Sequence, residues 1–305
     1  MSTVADSLAA DYRLLREQVG LVDRSERGKL ALTGPEAKEF LHGQVTNDIE
    51  SLTPGHGCYA AFLTHKGKML GDLRVLDLGD ELWLDTERSA LQELFNMIRR
   101  YKLGRDVELH KRTLERGLLS LVGPGARELV PVGPDEHDNA EVEYGVAVAT
   151  DVGVDLIVDA ERVDEVKAAL GVPEVSEAAA EIIRVECGRP RYGVDLDESV
   201  IPQEAGLNER AVNFEKGCYV GQETVARLFY RGKPNRHLRG LRLSEPVEPG
   251  TMLRLGEREV GKVGSSVVSP THGPIALAIV RREAAPGDEV AAGEAATATL
   301  VELPF

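Results

Sequence analysis

Leu118-Leu119-Ser120-Leu121-Val122-Gly123-Pro124-Gly125-Ala126 restates, in the same order, Leu30-Ala31-Leu32-Thr33-Gly34-Pro35-Glu36-Ala37. Each is a short apolar strand followed by a Gly-Pro turn and the opening of a helix, with Pro35 in a first helical turn and Thr33 and Glu36 at capping-box spacing. A second matched pair follows: Leu156-Ile157-Val158-Asp159-Ala160-Glu161-Arg162 resembles Leu82-Trp83-Leu84-Asp85-Thr86-Glu87-Arg88. Two matched pairs in one order predict duplicated α+β units. Spacing is looser in the first copy, which places an insertion around Gly43 to Gly67, and inserted loops tend to carry binding residues.

Outside the matched segments, Leu8, Tyr12, Leu15 and Val19 mark one face of an initial helix. Tyr59 to Thr64 and Lys68 to Asp77 flank the turn His65-Lys66-Gly67 and predict a hairpin. A helix from Glu87 to Tyr101 follows, with Leu91, Leu94, Phe95 and Ile98 as its apolar stripe. Glu177 to Val185 reads as a short helix. Beyond Asn235 six short runs predict a small antiparallel barrel or sandwich: Arg239 to Leu243, Met252 to Leu255, Val260 to Ser266, Ile275 to Val280, Glu289 to Ala292 and Thr297 to Val301. These readings divide the chain into 1–235, two intertwined α+β units, and 236–305, the barrel.

Composition narrows the function. A chain of 305 residues with 42% apolar content is long enough for two or three cores. No apolar run approaches the ~18 residues of a membrane span, and the first residues carry no basic segment ahead of an apolar one. A soluble, cytoplasmic protein is expected. The net charge of −15 opposes attraction to phosphate backbones, so neither nucleic acid nor membrane is an expected partner. Cys58, Cys187 and Cys218 are the three cysteines. They fit a reducing compartment and cannot supply the four thiolates of an iron–sulfur cluster, and no metal site is expected.

The chemistry concentrates in Lys216-Gly217-Cys218-Tyr219-Val220-Gly221-Gln222-Glu223, which holds a cation, a thiol, an amide, a carboxylate and two permissive glycines. The alternative is a Gly-rich loop between strands with one incidental cysteine. Lys216, folded inward, would raise the thiolate fraction of Cys218. No histidine lies nearby in sequence to serve as a base, which argues against a hydrolytic nucleophile. Redox exchange, a one-carbon thiol adduct and contact with a client's cluster all stay open.

Three further features invite a site. Arg227, Arg231, Lys233, Arg236, Arg239 and Arg242 form a run without an acid, either a sheet edge guarded against aggregation or a site for a small anion. Glu186, at the end of an apolar helix, could accept two N–H donors of a heterocycle or pair with Arg184 or Arg189. Asp72 lies on a strand, where Asp is disfavoured, either for a site or to pair with Arg74 or act as a turn carboxylate.

Gly20-Leu21-Val22-Asp23-Arg24-Ser25, Thr33-Gly34-Pro35, Gln44-Val45-Thr46-Asn47-Asp48, Arg184-Val185-Glu186-Cys187-Gly188 and Pro202-Gln203-Glu204-Ala205-Gly206-Leu207 resemble the motifs of the glycine-cleavage T-protein (GcvT) superfamily. The segment Lys216 to Glu223 resembles the signature of its YgfZ branch. The resemblance implies a ring of two duplicated ferredoxin-like α+β domains with a C-terminal antiparallel β-barrel. It further implies tetrahydrofolate, or a one-carbon derivative, as cofactor, with Glu186, Asn47, Tyr192 and Arg227 as folate-binding residues and Cys218 and Asp72 as catalytic candidates. The YgfZ branch is associated with synthesis or repair of iron–sulfur enzymes, including a tRNA-thiolating enzyme, so iron–sulfur client enzymes are the implied transient partners. The alternative implied by the wider superfamily is a folate-dependent aminomethyltransferase. T-proteins, however, carry two successive acids where this chain has Gly71-Asp72, and they lack the cysteine motif. A scaffold that has lost its folate site is the third reading.

Overall fold

The computed structural model describes residues 2–305. Contacts among them define two compact units, the first of residues up to Thr64, Leu70–Ala180 and Arg210–Val220, the second of His65–Met69, Glu181–Glu209 and Gly221–Phe305.

In the first unit the chain runs α1 (Ser2–Glu17), β1 (Gly20–Asp23), β2 (Gly28–Thr33), α2 (Ala37–His42), β3 (Gly57–Leu63), β4 (Met69–Asp77), β5 (Leu82–Thr86), α3 (Leu91–Tyr101) and β6 (Glu108–Lys111). It continues with β7 (Arg116–Val122), α4 (Ala126–Leu129), β8 (Asn139–Val142), β9 (Gly145–Thr150), β10 (Gly153–Asp159) and α5 (Val163–Leu170). Among the described residues these strands form two five-stranded sheets, ordered β3-β4-β5-β2-β6 and β8-β9-β10-β7-β1. The duplication read from the sequence is real: β2–α2 and β7–α4 occupy equivalent places, beside β5 and β10.

The sheets differ in where the last strand comes from. In the first it is β6, which follows α3; in the second it is β1, from the start of the chain. The turn glycines show the equivalence. Gly34 (φ 106°) packs so closely on the Asp106 carbonyl, just before β6, that a Cβ would lie 2.4 Å from it. Gly123 (φ 126°) packs on the Gln18 carbonyl, just before β1, at the same 2.4 Å. Both positions need glycine for its positive φ and for that close approach.

Leu76, Trp83, Leu118, Val148 and Ile157 form one buried cluster shared by the two sheets. Beside it Arg74 on β4 is buried between Asp85 at 2.8 Å and Asp155 at 2.7 Å. Asp155 also accepts from Ser120 Oγ (2.6 Å), and Asp85 from Trp83 Nε1 (3.2 Å).

The remaining elements are α6 (Glu177–Glu186), α7 (Asn208–Ala211), α8 (Gln222–Arg231), β11 (Arg236–Leu243), β12 (Met252–Leu255), β13 (Arg258–Ser269), β14 (Gly273–Arg281), β15 (Glu289–Ala292) and β16 (Ala296–Val301). Strands β11 to β16 close into an antiparallel barrel, sealed by β16 pairing back on β11 from Gly240↔Val301 to Leu243↔Ala298. Leu241, Leu253, Val260, Val263, Val280 and Leu300 fill its interior. Each strand expected beyond Asn235 is present, because one-sided burial writes a period of two into the sequence. Among the described residues no helix is long and apolar enough to cross a membrane.

Local expectations needed correction. The Thr33–Glu36 capping box does not form: Thr33 Oγ bonds His110 Nε2, and the Glu36 carboxylate takes the Asp106 N–H and Arg105. Tertiary partners distant in sequence outcompete the local pair. Pro35 lies ahead of α2, Val19 lies beyond the end of α1, and α3 begins at Leu91 rather than Glu87. Helix α8 was not anticipated.

Candidate functional site

The first five residues of the motif, Lys216 to Val220, belong to the first unit. Asn213 starts this loop by accepting the N–H groups of Glu215 and Lys216 with its side-chain oxygen, at 2.8 and 3.0 Å. The Lys216 ammonium then donates to the carbonyls of His42, Val45 and Asn47, at 2.5, 2.8 and 2.9 Å, and sits 5.0 Å from the centre of the Tyr219 ring. Val220 N donates to Gly43 O at 3.3 Å, and buried Thr46 donates to Ala211 O while accepting from Ala61 N. The loop is thereby stitched to Gly43–Asn47, the start of the insertion. Burial pushes the Lys216 ammonium down to about 8.

The Lys216 donors are thus engaged by backbone carbonyls; its charge also acts on the Cys58 thiol, which burial nonetheless pushes up to about 12. Cys218 is exposed, between exposed Gly217 and buried Tyr219.

Gly221, Gln222 and Glu223 fall in the second unit and open α8. Gly221 caps it at φ 84°, a conformation that favours glycine, and Glu223 lies in the first turn, where a carboxylate suits the helix dipole. Of the motif's glycines, Gly221 is the one that uses a positive φ. Arg227 is exposed on α8. The basic run is dispersed: Arg236 is held by Glu204 and the Ser199 carbonyl, Arg239 by Glu302, and Arg242 lies over Phe305.

Asp72, on β4, is 5% exposed. It accepts a 2.7 Å hydrogen bond from Tyr59 Oη, and its backbone carbonyl accepts from Thr86 Oγ1. The pairing with Arg74 that the sequence left open does not occur, since Arg74 is engaged by Asp85 and Asp155. Burial raises Asp72 to about 6; nearby Glu87 adds to the effect, and the Tyr59 hydroxyl and Arg27 oppose it. Such a carboxyl can hold or release a proton near neutral pH. The Tyr59 hydroxyl is raised well above its ordinary value by the same burial, and Arg210 stacks 5.3 Å from its ring centre.

Sequence reasoning passed over Tyr59 and Arg210. A signal for Tyr59 existed: it lies seven residues before Lys66, and Asp72 lies seven after His65, so a symmetric hairpin brings them together. Nothing local marked Arg210. Asn47 is half-buried and brought to the same place; its amide donates to Tyr59 O at 2.8 Å, so its side chain positions the Tyr59 strand.

In the second unit Glu186 ends α6 with 5% exposure. Its Oε1 accepts from Ser269 Oγ at 2.5 Å, and Ser269 Oγ is itself fixed by the N–H groups of Thr271 and His272. Arg184 is turned to Glu181, Asp195 and Ser265. Tyr192 is half-buried in the following loop, bridged to Leu196.

A pterin edge offers adjacent N–H donors, and a buried, oriented carboxylate such as Glu186 is the acceptor chemistry it requires. Asp72 adds a carboxyl that can carry a proton. Glu186 in the second unit therefore has the acceptor chemistry that a reduced folate's pterin requires.

Residues 1–158 match the GCVT N-terminal domain, and residues 236–305 match the glycine cleavage T-protein C-terminal barrel domain. The chain belongs to the glycine-cleavage T-protein (GcvT) family. It is 29% identical over 308 residues to the chloroplastic protein At1g60990 of Arabidopsis thaliana, which is named as a transferase, covering 94% of this chain and 71% of that one. Its fold is also that of the glycine cleavage system aminomethyltransferase T from Bartonella henselae, with TM-score 0.88 and 23% identity over 97% of this chain and 89% of that one.

Proposed function

We propose that this chain is a tetrahydrofolate-binding accessory protein of the YgfZ type, acting in the cytoplasm in synthesis or repair of iron–sulfur enzymes through the thiol of Cys218. The observation that carries the reading is the contrast within one loop. Lys216, Tyr219 and Val220 are anchored, while Cys218 between them is exposed. A thiol presented on a fixed loop suits contact with a transient client better than chemistry inside a closed pocket.

Residues 1–235 would form the folate-binding region and 236–305 the barrel domain. Glu186 would hold the pterin ring, with Asn47, Tyr192 and Arg227 as further folate contacts. Tetrahydrofolate, when bound, supplies a carrier for one-carbon units. Asp72, raised to about 6, can take up a proton close to neutral pH, and the Tyr59 hydroxyl orients its carboxylate.

In cells lacking the protein, wild type should restore the activity of an iron–sulfur client and Cys218→Ala should not; equal rescue removes the thiol from the mechanism. Calorimetric titration with tetrahydrofolate, with Glu186→Ala as control, tests the cofactor separately. No binding at millimolar ligand would leave a scaffold.

The second reading, a folate-dependent aminomethyltransferase, is favoured by the buried, raised Asp72. Turnover of an aminomethylated lipoyl carrier that is abolished by Asp72→Asn would put it first. Against it stands Gly71, where the second acid of T-proteins is missing. A Cβ there would lie 2.5 Å from the Phe62 ring and 2.7 Å from Ala90 Cβ, so Phe62 and Ala90 have closed the space.

A further inference from the structure

The second unit carries a cleft of about 300 Å³ that contains none of the residues assigned above to folate or to the thiol motif. Its walls are the outer face of the barrel and the segment from Val194 to Val200. Gly264 lets the two approach: a Cβ there would lie 2.4 Å from Asp195 Oδ1.

Three cations share the barrel wall. Arg236 on β11 lies directly across from Arg281 on β14, and Lys262 on β13 lies directly across from Ile279 on β14. Residues opposite one another in a ladder, and residues two apart on a strand, point to the same face. Arg236, Arg281 and Lys262 therefore project together, around Ile279 and Met252, which is paired with Lys262. Like charges opposed in a ladder are destabilising, and the chain as a whole has a net charge of −15, so three clustered cations are not a by-product of composition.

Partners separate these cations. Glu204 and the Ser199 carbonyl hold Arg236. Arg281 is exposed, and its guanidinium has no ion pair or side-chain hydrogen bond among the described residues. Lys262 is exposed and forms a long, solvent-exposed ion pair with Asp197 at 3.9 Å, of the kind that is worth little and can be exchanged for another anion. The carboxylates of the cleft are engaged. Asp195 accepts from Ser265 N and Oγ, Arg191 N and Arg184; Glu259 pairs with Arg254; Asp197 accepts from Ser199 N. Arg281, open, and Lys262, loosely paired with Asp197, thus flank an apolar strip in a concave site at the lower end of small-molecule pocket sizes.

We propose that this cleft binds a small organic phosphate, its dianionic head taken by Arg281 and Lys262 and its apolar body resting on Ile279 and Met252. A monocarboxylate would answer one cation only. A phosphate monoester has three terminal oxygens, enough for a forked contact from arginine and a point contact from lysine. Diagonal neighbours in a sheet lie about 7–8 Å apart at the backbone, within reach of these two long side chains.

The test is calorimetric titration of the full chain with phenyl phosphate, inorganic phosphate and benzoate. Phenyl phosphate should bind one to one, about fivefold or more tighter than either of the other two, with affinity falling as salt rises. Lys262→Ala and Arg281→Ala, both surface changes expected to keep the melting temperature, should each weaken it about fivefold or more. Glu186→Ala should leave it unchanged, which separates this site from the folate reading. The proposal is overturned by no saturable binding at millimolar phenyl phosphate, by unchanged affinity in the Lys262→Ala/Arg281→Ala double variant, by inorganic phosphate or benzoate binding as tightly, or by loss of binding in Glu186→Ala.

Discussion

Asp72 is a buried carboxyl bonded to a phenol rather than paired with a guanidinium, and its titration has a sign that can be measured. Its value of about 6 lies above the ordinary 3.8. Between the two the folded state binds more protons than the unfolded state, so stability falls as pH rises through that window and stays lowered above it. The shift corresponds to about 3 kcal/mol at most. Asp72→Asn removes the cost of ionising a buried acid while keeping an acceptor for Tyr59. Its melting temperature should exceed that of wild type at pH 7.5 and match it near pH 3.5; the same offset at both pH values would show that Asp72 is not raised.

At the scale of the element, the motif loop divides its labour. Lys216 joins the loop to the end of α2 and the residues after it through three carbonyls. Charge-assisted hydrogen bonds in a partly buried site are worth more than surface ion pairs. Lys216→Met should destabilise the protein by about 2–4 kcal/mol, read by urea unfolding from the fluorescence of Trp83, which is 1% exposed. Cys218→Ala should stay within about 0.5 kcal/mol of wild type, as surface changes do. If the lysine variant is as stable as wild type, the loop is held by other contacts.

For the molecule as a whole, the polar contact that joins the two sheets of the first unit is Arg74 between Asp85 and Asp155, beside Trp83. Replacing Arg74 by Met leaves buried Asp155 without its cation and Asp85 with Arg27 alone, at 3.2 Å, and should cost about 3–5 kcal/mol. Removing the orphaned charge as well, as Arg74→Met with Asp155→Leu, leaves Asp85 on Arg27 and should recover part of that loss. Equilibrium unfolding of both variants decides it, and equal stabilities would mean that the sheets are joined by their apolar cluster alone.

The sequence by itself determined the repeated strand–turn–helix, the hairpin around Lys66 and the strands of the barrel. These depend on local geometry: a period of two for a half-buried strand, and glycine where φ must be positive. It also marked Asp72, Glu186 and Cys218, because an acid on a strand, a carboxylate at the end of an apolar helix and a cysteine among glycines are each locally unusual. Only the tertiary structure decided what these groups touch. Strands β1 and β6 stand at the ends of their sheets and are defined by the neighbour they complete. Tyr59 on Asp72, Ser269 on Glu186 and Lys216 on the carbonyls of residues 42–47 join residues 13 to 174 positions apart. Hydrogen bonds and burial act through space, so the chemical state of a side chain is set by what the fold brings beside it.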